Sequence, residues 1–221
     1  MTTSKIMSIV VATTNPGKLT ELRALLANLP VEVLTVADAL GHAQPVVEDG
    51  ETFEANAQKK AREVAQAAQM ITLADDSGLE VDALGGRPGV RSARFAKEGA
   101  TDAENNAALL EMMQDVDDGQ RTARFRCTIA LYDPWAPEQS AVVEGRCEGS
   151  IARNPSGAGG FGYDPLFVVS GLDRTMAELG ADEKNRISHR ARALEAIRPM
   201  LEALVRQRIE DSTRVLSDAG N

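Results

Sequence analysis

The chain opens with a strand–turn–helix pattern that restricts the folds available to it. Residues 6–12 form a run that is apolar apart from Ser8, which indicates a buried strand. The Asn-Pro-Gly sequence at 15–17 then predicts a turn. Leucines follow at three- and four-residue spacing from Leu19 to Leu29, as on an amphipathic helix. A strand followed directly by a helix is the building unit of α/β proteins.

The remaining periodicity predicts a mixed β-sheet flanked by helices. Further helices are predicted at residues 52–69 and 101–116, and a last one carries an apolar face from Leu194 to Val205, with Ser188 as its N-cap. Further strands are predicted at residues 31–36, 70–75, 79–84, 123–132, 141–147 and 165–169, of which 123–132 and 141–147 form an antiparallel pair. The chain contains neither internal repeats nor a dividing linker. We therefore expect a single α/β domain over residues 1–210 and a polar, flexible tail over residues 211–221.

Charge and cysteine content exclude several kinds of function. The chain has 24 Lys and Arg against 33 Asp and Glu, a net charge of −9. It therefore lacks the clustered positive charge with which proteins grip nucleic acid, so an anionic ligand must be bound by a few cations or through a metal ion. No apolar run approaches the roughly 18 residues of a membrane span, and two cysteines suit a reducing compartment. We expect a cytoplasmic protein with neither nucleic acid nor membrane as a partner.

A first polar cluster occupies the turn after the first strand. A turn that opens a helix directs backbone N–H groups outward, and the helix dipole favours an anion there. We predict that this turn binds phosphate through Thr13, Thr14, Asn15, Pro16, Gly17 and Lys18. An ordinary strand-to-helix turn is the alternative.

A second cluster consists of Glu48 and one face of the helix predicted at residues 52–69. Asn56 and Lys60 are four residues apart, so they share a helix face with Phe53, away from a stripe of alanines. Taken alone, this segment is better interpreted as a solvated helix face.

The third cluster, Asp75-Asp76-Ser77, closes an apolar run. Adjacent residues of a strand face opposite ways, and carboxylates at the end of a sheet are costly to desolvate unless a cation pairs with them. Mg²⁺ takes oxygen ligands from one or two carboxylates and from substrate phosphates. The pattern therefore favours a magnesium site, and an Asx-type turn between two strands is the alternative.

The fourth cluster lies in a glycine-rich loop, where Phe161 and Tyr163 stand beside Gly162 and Asp164. Glycine permits close approach of the backbone to a ligand, and aromatic faces can stack on a planar base. We predict a base-binding loop. Packing of the two aromatic rings into the core is the alternative.

The fifth cluster brings Lys184, His189 and Arg190 together around the start of the last helix. Cations are unfavourable at a helix N-terminus, which attracts anions, so their position suggests a function as ligand donors. A surface salt-bridge cluster is the alternative.

In their order along the chain, the motifs resemble those of the inosine triphosphate pyrophosphatase family. They read T-x-N-x-x-K, F-x-x-N-A-x-x-K-A, A-D-D-S-G-L, G-G-x-P-G-x-x-S-A-R, G-G-F-G-Y-D-P-x-F and E-K-x-x-x-S-H-R, at residues 13–18, 53–61, 74–79, 85–94, 159–167 and 183–190. The resemblance implies a long mixed sheet in two lobes with the site in the cleft between them, a homodimer, and dependence on Mg²⁺. The implied reaction hydrolyses ITP, dITP or XTP to the monophosphate and pyrophosphate.

The resemblance also assigns roles to residues. We expect Glu48 and Asp76 to bind Mg²⁺ or its waters, with Asp75 in support. Asp76 is also expected to orient or deprotonate the attacking water, with Lys60 near the transferred group. The phosphate turn, Asn56 and the 161–164 loop contact the substrate, as do Ser77, Lys184, His189 and Arg190, the last three donating toward a 6-keto oxygen.

Two positions depart from the family pattern. Ala55 stands where the family usually has an acid, so that carboxylate is lost or moves to Glu54, and Thr14 replaces a frequent glycine.

Two other functions are compatible with the same motifs. A nucleotide sensor would use the phosphate turn and the base loop without activating water, although Glu48, Asp75 and Asp76 argue against it. A nucleotidyltransferase would release pyrophosphate but pass the nucleotide to an acceptor. Formation of free monophosphate without an acceptor distinguishes hydrolysis from transfer.

Overall fold

The fold is a six-stranded mixed sheet with helices on both faces, as predicted. The computed structural model describes residues 7–42 and 45–218, with the backbone alone for 212–218. The first strand runs parallel to its two neighbours, and the remaining pairs are antiparallel. The sheet has the order β2-β1-β3-β4-β5-β6, with β1 Met7–Val11, β2 Val31–Thr35, β3 Thr72–Val81, β4 Thr122–Tyr132, β5 Ala141–Ile151 and β6 Phe167–Val169. Ile6, which the sequence placed in the first strand, lies outside the described residues.

Within the described residues, six α-helices pack around this sheet. They are α1 Pro16–Leu26, α2 Val36–Leu40, α3 Phe53–Ala68, α4 Asp102–Met112, α5 Ala181–Ile187 and α6 His189–Asp218. The alanine stripe of α3 is buried as predicted, because side chains this small let the helix lie close to β3 and β4. No helix in the described ranges combines the length and the apolar character needed to cross a membrane.

The third strand corrects the sequence interpretation. Two strands, at 70–75 and 79–84, were predicted with a turn at the acidic pair, whereas β3 is continuous and pairs with β4 over its whole length. Asp75 and Asp76 lie opposite Ile129 and Thr128 in this ladder, so the alternative of an Asx-type turn is wrong. A strand tolerates buried acids at its centre here because cations from other elements contact them.

One face of β3 explains how a single sheet carries two lobes. Ile71 and Leu73 belong to the apolar cluster beneath α1 and α6, and Leu79 and Val81 belong to the cluster around Phe125 and Phe167. The residues between them on that face, at 75 and 77, are polar. The hydrophobic core is therefore interrupted at the acidic segment, and a cleft forms where the core is absent.

The C-terminal helix is longer than the sequence indicated. Ser188 caps it as predicted, since its side-chain oxygen accepts a hydrogen bond from the amide of Ala191. Helix α6 continues to Asp218, so the predicted boundary at residue 211 falls inside a helix. Residues 219–221 of the predicted tail lie outside the described residues.

Candidate active site

The phosphate turn is built by the cap of α1. Asn15 is the N-cap, and its side-chain oxygen accepts from the amide of Lys18 at 3.1 Å, while Pro16 occupies the first helical position, where no amide donor is needed. Thr13 Oγ1 accepts from the amide of Asn15. Thr13, Thr14, Asn15 and Lys18 line one cavity together with Glu48 and Lys60. The local sequence therefore produces a helix start that opens into a polar cavity.

Lys60 forms hydrogen bonds with the acidic residues at this cavity. Its ammonium lies 2.6 Å from Glu48 Oε1, 3.2 Å from Asp76 Oδ1 and 2.7 Å from the backbone oxygen of Asp75. Burial alone would lower the pKa of Lys60, but the surrounding negative charges outweigh it and raise that pKa. The interpretation of α3 as a solvated face is wrong at Lys60, which is buried.

Asn56 fixes the orientation of Asp76. The Asn56 amide donates to Asp76 Oδ2 at 3.2 Å, and its oxygen accepts from the amide of Gly50 at 2.8 Å. Asn56 is thus bound to the acid and to the loop that carries Glu48. Burial raises the pKa of the Asp76 carboxyl above its ordinary value, even though Lys60 acts in the opposite direction. A carboxylate with a raised pKa is a better proton acceptor.

The same residues fit a divalent cation. No group of three or more His, Cys, Asp or Glu in the described ranges forms a metal cage. Glu48 and Asp76 nevertheless converge on one cation, the Lys60 ammonium, and the Glu48 side chain is 35% exposed. Mg²⁺ commonly needs only one or two carboxylates, because water and substrate phosphates complete its coordination. The oxygen donors present are of the right kind.

Asp75 faces the opposite side of β3 and is enclosed by cations. Its Oδ2 atom lies 3.2 Å from Lys18 Nζ and 3.1 Å from Arg190 Nη2. Burial would raise the pKa of Asp75, but these charges, with that of Lys60, hold it well below its ordinary value. Arg190 is 1% exposed and also contacts Ser77 and Glu21. The alternative of a surface salt-bridge cluster is therefore wrong.

Lys184 and Phe161 form the adjoining pocket. Lys184 Nζ lies 2.5 Å from Asp164 Oδ2, 2.7 Å from Glu21 Oε1 and 4.9 Å from the centre of the Phe161 ring. A Cβ atom on Gly17 would come within 2.5 Å of that ring. The glycine of the phosphate turn therefore allows Phe161 to pack against the start of α1.

His189 is buried beside Phe125. Its ring stacks on Phe125 with a centroid distance of 4.8 Å. Burial, and then the charges of Arg190 and Lys184, lower its pKa well below the ordinary value of 6.5. Its Nδ1 atom has no hydrogen-bond partner among the described residues. This buried nitrogen therefore has unused hydrogen-bonding capacity.

Tyr163 follows the core alternative rather than the prediction of a free stacking face. It is buried in the apolar cluster around Phe167, and its hydroxyl donates to the backbone oxygen of Ser92 at 2.8 Å. Phe161, by contrast, is only partly buried. The two aromatic rings of the loop thus have different functions, one anchoring the loop and one facing the cleft.

The two cavities meet at Asn15, Lys18 and Ala93, which line both. The first holds the phosphate turn with Glu48 and Lys60. The second, with about 600 Å³ of space including the part open to solvent, contains Ser77, Phe161, Gly162, Tyr163, Asp164, Lys184, His189 and Arg190. Most of the predicted site residues therefore line one continuous cleft. Those that do not line it are Pro16, Gly17, Asn56, Asp75 and Asp76.

Sequence reasoning missed several residues of this cleft. Glu21 pairs with both Lys184 and Arg190. Its place three residues after Lys18 on α1 is the signal that would have found it, because such residues share a helix face. Further residues that line the cavity around Phe161 and Lys184 and were not predicted are Gly78, Ser92, Ala93, Asp102, Asn105 and Phe125. Glu54, considered as a substitute for an acid at Ala55, is exposed and contacts Gln58.

Comparison with known proteins identifies the family. The sequence profile of the Ham1 family matches residues 9–200. A dITP/XTP pyrophosphatase from Bacillus subtilis (strain 168) is 48% identical over 194 residues, covering 88% of this chain and 96% of that relative. Another from Geobacillus kaustophilus (strain HTA426) is 50% identical over 197 residues, covering 89% and 95%. The resemblance predicted from the ordered motifs is confirmed, and the chain belongs to the Ham1 family.

Solved structures agree with this assignment. A HAM1 protein from Coxiella burnetii superimposes with a TM-score of 0.79 at 41% identity, covering 91% of this chain and all of that one. The nucleoside-triphosphatase / dITP/XTP pyrophosphatase from Mycobacterium abscessus gives a TM-score of 0.68 at 48% identity, covering 86% and 98%. The similarity therefore extends over both lobes.

Proposed function

We propose that this protein hydrolyses non-standard purine nucleoside triphosphates, ITP, dITP and XTP, to the monophosphate and pyrophosphate, and so removes them from the nucleotide pool. The dITP/XTP pyrophosphatases similar to it over nearly their whole length support this assignment. We further propose Mg²⁺ as the cofactor, a homodimer as the assembly and the cytoplasm as the location. Residues 1–210 are proposed as the catalytic domain, with 211–221 as an extension.

One observation carries the proposal. A pocket with a partly buried aromatic ring and buried donors opens at Lys18 into a cavity that holds Glu48, Lys60 and, behind them, Asp76. A nucleoside triphosphate has the same division, with a planar base at one end and a polyphosphate at the other. The junction at Lys18 is therefore the natural position for the α-phosphate.

The chain supplies the groups that hydrolysis at the α-phosphorus needs. Lys18 and the N-terminus of α1 attract the polyphosphate. Asp76 takes the proton of the attacking water, and Asn56 holds this carboxylate in position. The water oxygen bonds to the α-phosphorus as the bond between that phosphorus and the oxygen bridging to the β-phosphate breaks, which gives the monophosphate and releases pyrophosphate. Bound by Glu48 and Asp76, Mg²⁺ would neutralise charge on the phosphate oxygens.

The base pocket favours a 6-keto group. Lys184 has three N–H donors, two of which are directed to Asp164 and Glu21, so one remains for a ligand. A donor that meets the 6-amino group of adenine is left unpaired, which costs roughly 1–3 kcal/mol in a buried site. GTP shares the 6-keto group, so its rejection depends on the 2-amino group.

The decisive test is Asp76→Asn. We expect this variant to bind ITP with nearly the affinity of the wild type and to lose at least about 100-fold in kcat, because general-base catalysis contributes roughly 10²–10⁴-fold. Binding is measured by calorimetry, and turnover by separating pyrophosphate from orthophosphate on a panel of nucleotides with Mg²⁺. Near-normal turnover by the variant contradicts the role of Asp76.

The same panel separates the competing functions. A sensor would bind ITP without releasing monophosphate. A nucleotidyltransferase would release pyrophosphate only when an acceptor is present. Free monophosphate and pyrophosphate in equal amounts, from nucleotide and water alone, identify hydrolysis.

A further inference from the structure

Two side chains of helix α4 form hydrogen bonds with the backbone of one glycine in the base loop, residues 161–164. Asp102 Oδ2 accepts from the amide of Gly162 at 2.6 Å, and Asn106 Nδ2 donates to the carbonyl oxygen of the same residue at 3.0 Å. Asp102 and Asn106 are four residues apart, so they project from one face of the helix. We call these two hydrogen bonds the Gly162 clip.

The clip acts at a conformationally unusual position. Gly162 has a φ of 61°, a left-handed conformation that glycine adopts without steric cost. Neighbouring loop groups are also bound within the protein, since the amide of Phe161 donates to Asp164 Oδ2 and the amide of Asp164 to the carbonyl of Phe161. The backbone polar groups of Phe161 and Gly162 are therefore engaged within the protein, which leaves side chains to contact a ligand here.

Helix α4 is itself well anchored. Asn105 accepts from the amide of Ala96 and donates to the carbonyl of Ala93, which lines both cavities. Thr101 and Glu104 form the predicted capping box at the helix start. The clip therefore connects the base loop to a fixed element rather than to a mobile one.

We propose that Asp102 and Asn106 are positioning residues of the base pocket. By holding Gly162, they fix the preceding residue, Phe161, so that its ring lies against Gly17 and close to Lys184. The ring is then in place before the purine arrives, which reduces the entropy lost on binding. This inference rests on the proposed function and adds determinants of substrate affinity to it.

Kinetics on ITP test the role in binding. For Asp102→Ala and Asn106→Ala we expect KM to rise about tenfold while kcat stays within about twofold, because the lost interactions position the base and not the reacting phosphate. Asp102→Asn keeps an oxygen that can accept from Gly162 and is expected to restore KM. Glu111→Ala, an exposed change on the same helix, is the matched control and leaves both constants unchanged.

Hydrogen exchange tests the clip without relying on catalysis. In the peptide covering residues 157–165, the amide of Gly162 is expected to exchange at least about tenfold faster in Asp102→Ala than in the wild type or Glu111→Ala. Asn106→Ala provides a second variant should the first not fold.

The two measurements separate the possible failures. Unchanged exchange overturns the clip, and faster exchange with an unchanged KM overturns its role in base binding. A wild-type enzyme that does not hydrolyse ITP refutes the proposed function and with it the kinetic role, while the exchange result still decides whether the clip exists.

Discussion

The two halves of the cleft differ in how their charged side chains are paired. The base half is the cavity around Phe161 and Lys184, and the phosphate half is the cavity that holds Glu48 and Lys60. In the base half, Arg190 and Asp75 are almost fully buried and bonded to each other, and Glu21 connects Arg190 to Lys184. In the phosphate half, Lys60 forms ion pairs with both Glu48 and Asp76, and the side chain of Glu48 is 35% exposed. We call the base half closed, because its charged groups are paired with one another inside the protein. In the phosphate half, a carboxylate can leave Lys60 and bind a ligand instead.

This difference suits the role proposed for each half. Discrimination between bases needs donors that stay in place whether or not a base is bound, because a flexible site can adapt to the wrong one. Binding a metal–polyphosphate complex needs carboxylates that can leave one cation for another. Buried, mutually bonded charges provide the first property, and a partly exposed acid paired with a single lysine provides the second.

The largest expected effect concerns the closed half. Arg190→Ala removes the buried cation that contacts both Asp75 and Glu21 and leaves these acids only Lys18 and Lys184. Breaking a buried ion pair from one side costs about 3–5 kcal/mol. We expect the free energy of unfolding, measured by urea denaturation, to fall by this amount. Arg186→Ala, an exposed change on α5, should alter it by less than about 0.5 kcal/mol.

Kinetics of the same variant address base recognition. If Arg190 also donates to the base, the kcat/KM ratio of ITP to ATP falls in whatever fraction remains folded. A ratio equal to that of the wild type limits Arg190 to holding Asp75 and Glu21. Full stability of Arg190→Ala would contradict the description of this half as closed.

A smaller effect is expected in the phosphate half. Lys60→Gln removes the cation shared by Glu48 and Asp76, so the pKa of Asp76, already raised by burial, rises further. Asp76 must be deprotonated to accept a proton, and activity is therefore lost as pH falls through this pKa. We expect the acid limb of kcat/KM for ITP to move upward by about one pH unit.

The neighbouring lysine provides the control for that experiment. Lys59 pairs with the exposed carboxylate of Asp49 at 2.7 Å and does not contact Asp76. Lys59→Gln should leave the acid limb unchanged. Identical pH profiles for the two variants would show that Lys60 does not set the protonation of Asp76.

The sequence predicted which residues belong to the site better than it predicted the contacts between them. Local periodicity identified α1, α3 and the β4–β5 pair, because their apolar spacing reflects burial against the sheet. It broke β3 in two, since adjacent acids are typical of turns, and only Lys18, Lys60 and Arg190, from other elements, make these acids acceptable inside a strand. The Gly162 clip was missed for the same reason, because Asp102 and Asn106 are far from Gly162 in the chain. The spacing of Glu21 from Lys18 is a local signal, but its partners Lys184 and Arg190 are also far away in the chain.

The smallest expected effect returns to the closed half. The lowered pKa of His189 means that the unfolded chain takes up a proton near the ordinary value of 6.5, whereas the folded protein takes it up only at lower pH. Folding stability therefore decreases as pH falls below about 6.5, by at most about 1.4 kcal/mol per pH unit for one group. In His189→Gln, the decrease in the free energy of unfolding, measured by denaturation between pH 6.5 and 5.5, should be smaller by about 1 kcal/mol.

The control is His42→Gln, which changes an exposed histidine and should retain the wild-type decrease. Parallel curves for the wild type and His189→Gln would mean that His189 accepts a proton in the folded protein. The base half would then tolerate a charged histidine, contrary to its description as closed.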